Sequence, residues 1–148
     1  MISRVADHCF WFGRYLERAE STARVLRITQ QLALDGELPP RQCWLPVIIV
    51  SGEQAAFAQK YGDDAAEDGE CVQRYMTWDA DNITSIKRSV DALRWNARSV
   101  REALSLEAWE PVNDLYLWLD SEEAKAQFDK DRDLFYRTVR REVQLCLG

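Results

Sequence analysis

From Val5 onward, apolar residues recur at alternating steps of four and three: Val5, Cys9, Phe12, Leu16, Ala19, Ala23 and Leu26. That spacing keeps one face of a helix apolar and predicts a long helix over about 3–34, with Ser3 as N-cap and Gly36, Pro39 and Pro40 as its stop. A second stripe, Ile83, Ile86, Val90, Leu93, Ala97, Val100 and Leu104, predicts a helix over about 82–104, capped by Asp81 or Asn82 and ended at Ser105. A third, with Phe128, Leu134 or Phe135, Thr138, Val139, Val143 and Cys146, predicts a helix over about 121–147. Ser121 is its N-cap, and acidic residues in the first turn suit the helix dipole.

Shorter helical segments fill the gaps. Residues 46–50 form one turn, "GEQAAFAQKYG" a helix stopped at Gly62, "DDAAEDGE" an acidic loop and "CVQRYMTWD" a further short helix. "LEAWEPVNDLYLWL" places Trp109, Val112, Leu115, Tyr116 and Leu119 on one side, with Pro111 predicting a kink or a late start. Period-two alternation is nowhere sustained, and no hairpin turn separates β-branched runs. The fold class is all-α: a helical bundle, a single domain over 1–148, with three long helices and several short ones.

Composition narrows the function. A chain of 148 residues buries roughly 70% of its unfolded surface, enough for a core without disulfides or metals. No apolar run approaches the roughly 20 residues of a membrane span, and no secretory signal opens the chain, so cytoplasmic residence without a membrane is the expectation. The net charge of −6 argues against nucleic-acid binding, which needs a basic surface. Of the 19 basic residues only Lys60, Lys87, Lys125 and Lys130 are lysines; the arginine bias favours planar, partly buried contacts with carboxylate or phosphate. Cys9, Cys43, Cys71 and Cys146 are scattered and His8 lacks ligand spacing, so buried free thiols and no metal are expected.

The first helix is apolar on two sides. Opposite the core stripe lie Arg14, Glu17, Arg18 and Ser21, with Arg24 at the edge, yet Phe10, Val25, Ile28 and Leu32 project from the same side. A helix apolar on both sides is sandwiched between two layers. The charges then read three ways: exposed pairs (Arg14 with Glu17, Glu20 with Arg24), a buried structural network, or a ligand or catalytic site with Glu17 as base. Arg94, Arg98 and Arg101 form a second row, either a rim whose stems cover apolar surface or a partner for carboxylates such as Glu17.

Three blocks, "SRVADHCFWFGRYLERAESTARVL", "DADNITSIKRSVDALRWNARSVREALSLEAWEPVNDLYLWL" and "FYRTVRREVQLCLG", together resemble the alpha-E domain family. That family is an all-helical group of unknown function named for a helical Glu-Arg motif, here Glu17-Arg18. Its members have a longer domain whose second half carries another Gly-Arg-Tyr-Leu-Glu-Arg-like helix, so the resemblance is to the N-terminal half and implies either a fragment or a naturally short member. Trp95 and Pro111 depart from the family pattern. The family occurs in bacteria beside circularly permuted ATP-grasp and transglutaminase-like proteins, which implies a system acting on peptide amide bonds. No phosphate-cradling loop is present and no cofactor is expected, so any ATP is used by a partner.

The expectation is thus a helical partner or scaffold without activity of its own, working as a homodimer or with an ATP-grasp-type protein. The alternative is a carboxylate- or phosphate-binding, or catalytic, domain using Arg14, Glu17, Arg18, Ser21, Arg24 and Arg98.

Overall fold

Helix α1 (Ile2–Asp35) runs for 34 residues, about 51 Å, in a computed structural model that describes residues 2–102 and 106–147. After it come α2 (Pro40–Val50), α3 (Gln54–Tyr61), a 3-10 turn (Asp63–Glu67), α4 (Gly69–Trp78), α5 (Ile86–Ser99), α6 (Leu106–Leu119), α7 (Glu122–Lys130) and α8 (Arg132–Leu147). Among the described residues there is no strand, and no helix is long and apolar enough to cross a membrane. The all-α expectation holds.

The core follows the stripes. α1 packs against α5 and α8, and α6 closes on both of those helices. Leu16, Ala19, Ala23 and Leu26 of α1 meet Ile86, Val90, Leu93 and Ala97 of α5 and Phe135, Val139 and Val143 of α8 in one cluster. Two ion pairs fix the antiparallel register of α1 and α8: Arg27 Nε donates to Asp133 Oδ1 at 2.7 Å, and Arg140 Nε to Glu20 Oε1 at 3.1 Å. Helices α2, α3 and α4 form a smaller layer at one side, around Trp44, Ile48, Phe57 and Tyr75.

Several expected boundaries move. Ser3 is not a cap, because α1 is already helical at Ile2. The second long helix starts at Ile86 rather than 82, capped by Ser85, whose Oγ accepts from Arg88 N; Asn82 builds the preceding turn instead. Leu104 and Ser105 lie outside the described residues. The expected third helix is two: Asp131 leaves helical geometry at φ −144°, ψ 85°, and its carboxylate accepts from Leu134 N to restart the chain as α8. Ser121 caps α7 as predicted, and the core takes Phe135 while Leu134 is half-buried. The single turn expected at 46–50 is part of an 11-residue helix, with Pro40 at its first position and Pro46 inside. α6 is continuous from Leu106 through Pro111.

Cys43 and Cys146 are buried, as expected; Cys71 is half-buried and Cys9 exposed. The reason is the length of α1. The register with α8 places Leu147 near Gly13, so the helix turns before it outrun that neighbour, and Val5 and Cys9 stand uncovered at the start of a stripe that is buried from Leu16 onward.

Candidate functional site

The outer face of α1 is where the predicted charges sit. Arg14 Nη1 donates to Glu17 Oε2 at 3.3 Å, with both side chains more than half exposed, a surface pair worth about 0.2–0.5 kcal/mol. One to two turns away, Arg24 lies 3.8 Å from Glu20, which is mainly held by Arg140. Arg98 is exposed at the end of α5, and no ion pair joins it to either pair among the described residues. The six candidate residues therefore do not form one cluster. Of the Arg row, the Arg94 guanidinium lies 4.3 Å over the Tyr116 ring and that of Arg101 5.0 Å over Trp109, so two of the three heads rest on aromatic rings. Along the same outer face of α1, Phe10 (59% exposed), Val25 (40%), Ile28 (55%) and Leu32 (39%) have no second layer over them.

Arg18 and Ser21 do come together, at a groove between α1 and α2. Its volume is about 660 Å³. Arg18, Ser21, Thr22 and Thr84 line one end, and Val25, Leu32, Cys43, Pro46, Val47, Val50 and Met76 make most of the remainder. The Arg18 guanidinium rests 5.6 Å from the Tyr15 ring centre and 3.5 Å from the Ile83 carbonyl oxygen, and no carboxylate pairs with it among the described residues. The neighbours Glu17 and Arg18, 100° apart on the helix, thus separate: one points to a surface pair, the other to the groove.

Glu17-Arg18 is the chain's one Glu-Arg dipeptide, and the family described as a predicted alpha-helical domain with a conserved ER motif matches residues 1–148. The chain belongs to the Alpha-E family. The match spans the entire chain. Uncharacterised proteins of Mycobacterium bovis and of two strains of Mycobacterium tuberculosis are 30% identical to it over 118 residues. That alignment covers 72% of this chain and 13% of each relative, so the chain spans only a small part of the length of the curated relatives it matches. No solved structure matches.

A polar network in this Alpha-E chain escaped the sequence reading. Asp79, its side chain only 7% exposed, accepts from Lys60 Nζ at 2.8 Å, Tyr61 Oη at 2.9 Å and Asp81 N at 2.8 Å. Burial pushes the Asp79 carboxyl up, but these three donors outweigh it and hold it below the usual carboxylate range; the same bond raises Lys60. Tyr75 is raised by burial and by donating to Glu53 at 2.9 Å. Only the tertiary fold brings 53, 60, 75 and 79 together, and no local spacing announces it. Its groups satisfy one another, which marks it as a clasp between α3, α4 and the turn before α5. At the other end, His8 Nδ1 lies 2.9 Å from Asn96 Oδ1, tying α1 to α5. No three His, Cys, Asp or Glu residues gather to hold a metal among the described residues.

Proposed function

We propose that this Alpha-E chain is a non-catalytic helical docking domain whose outer α1 face is covered by a protein partner of a bacterial system that forms peptide amide bonds, an ATP-grasp-type protein. The supporting observation is the row Phe10, Val25, Ile28 and Leu32, standing exposed on a helix that is buried on its opposite face. Val25, Ile28 and Leu32 stand together as an exposed apolar patch of a kind that marks interaction sites on globular domains, with Phe10 about 22 Å up the helix as a separate contact. The mid-row pair Arg14–Glu17 would give register and specificity more than affinity. The length of the mycobacterial relatives fits a domain that works against other domains.

The test is co-expression with an ATP-grasp protein from the same source, followed by calorimetric titration of the purified pair. A one-to-one complex that Phe10→Asp with Ile28→Asp abolishes is expected; a complex indifferent to both changes overturns the reading. Without that partner the same face pairs with a second copy, so the isolated chain should run as a dimer in light scattering well above micromolar concentration, and a monomer there removes this part.

The alternative, capture of a carboxylate or phosphate by the Arg14, Glu17 and Arg18 set, has one observation in its favour: Arg18 is a guanidinium without an ion pair among the described residues.

A further inference from the structure

The α1–α2 groove is lined by one face of each of its two helices. Its volume of about 660 Å³ lies within the range of small-ligand pockets. An extended peptide is poorly suited. Both walls are helices whose backbone groups are bonded internally, apart from the Gln42 carbonyl that Pro46 leaves without its helical N–H partner. A peptide laid between them would find few acceptors for its N–H groups beyond the Gln42 carbonyl and the side chains of Thr29, Gln42 and Ser51. A hydrocarbon chain carries no such groups. Val25, Leu32, Pro46, Val47, Val50 and Met76 offer it a mostly apolar wall, interrupted by Thr29, Gln42 and Ser51.

One end is different. Arg18 sits there without a carboxylate, on a molecule of net charge −6, and the Ser21 and Thr22 hydroxyls beside it make no hydrogen bond among the described residues. Thr84 gives its hydroxyl proton to Asn82 Oδ1 at 2.6 Å, so it adds no donor. One cation and two hydroxyls at the mouth of an apolar trough complement an anionic head on an aliphatic tail. Leu32 is about 21 Å along α1 from Arg18, room for a long alkyl chain.

We propose that this groove binds an aliphatic carboxylate, with its head on Arg18, Ser21 and Thr22 and its alkyl chain running along α1 toward Leu32. The groove shares Val25 and Leu32 with the face given above to the protein partner, whereas Phe10 and Ile28, through which docking is tested, do not line it.

The experiment is calorimetric titration of the full chain with octanoate, decanoate and laurate below their micelle concentrations, and with dodecanol as the tail without the anion. Affinity should rise by about twofold to fourfold for each added methylene. Arg18→Gln should weaken laurate by at least tenfold and leave dodecanol within twofold. Val50→Asp, an exposed change on the groove wall, should weaken both ligands. Absence of laurate binding, binding unaltered by Arg18→Gln, or tighter binding of a short apolar peptide with a free C-terminus would each overturn the proposal. Laurate binding that persists while the Phe10→Asp, Ile28→Asp chain loses its protein partner supports the groove, and it leaves the docking reading to its own test.

Discussion

At Asn82 one buried side chain closes the turn between α4 and α5. Its Nδ2 donates to the Tyr75 carbonyl at 3.1 Å, and its Oδ1 accepts from Thr84 N at 2.9 Å and Thr84 Oγ1. Asn82→Ala leaves these groups without partners inside the protein and should cost about 2–3 kcal/mol in urea unfolding, with an unchanged m-value. Gly69 is a second such residue: a Cβ there would stand 2.5 Å from Trp44 Nε1, on a ring packed in the core. Gly69→Ala should therefore destabilise by about 1–3 kcal/mol, despite alanine's better helix propensity. Thiol chemistry differs sharply by position. Burial pushes the Cys146 thiol up to about 12, whereas Cys9 is exposed; a disulfide reagent should label Cys9 first and reach Cys146 only on unfolding. Legibility also varied residue by residue. The Arg14–Glu17 pair was visible in its i,i+3 spacing, because helix geometry alone sets that distance. The groove was not, because its second wall comes from α2, whose approach depends on the turn at Gly36 and on tertiary packing.

Between elements, Asp133 holds most of the polar contact of α8 with α1. It accepts from Arg27 at 2.7 Å, Gln31 at 3.2 Å and Arg137 at 2.8 Å. Burial pushes its carboxyl up, yet the Arg27 and Arg137 bonds prevail and hold it below the usual range. A carboxylate lowered in the folded state adds stability above its unfolded pKa of about 3.9, and that stability is lost as pH falls through the lower folded value. Asp79 acts in the same sense. Melting temperatures should thus fall on acidification below about pH 4, and Asp133→Asn should lower the neutral-pH value while flattening the acid slope. The helix pattern foretold these elements where the apolar stripe was regular, as in α1. It erred where a side chain competes with the backbone: Ser85 caps α5, which begins four residues after the predicted start, and Asp131 breaks a run whose apolar period continues across it.

For the molecule as a whole, α1 is the common wall of two structures. One side completes the bundle with α5 and α8; the other, with α2, makes the groove, and its remaining surface is left to a partner. Removing α2 should abolish laurate binding and loosen the layer built on Trp44 and Ile48 while leaving part of the helix content. Removing α8 should unfold the chain, because Leu16, Ala19, Ala23 and Leu26 would lose one of the two helices that cover them. Circular dichroism of the two deletion variants distinguishes these outcomes.

The ion pair of Arg27 with Asp133 spans 106 residues. Synthesis proceeds at about 5–20 residues per second, so the first helix leaves the ribosome about 5–20 seconds before the helix that seals it. Throughout that interval the side of its apolar stripe that faces α8 is bare, and the nascent chain is a natural client for chaperones that shield helical hydrophobic segments.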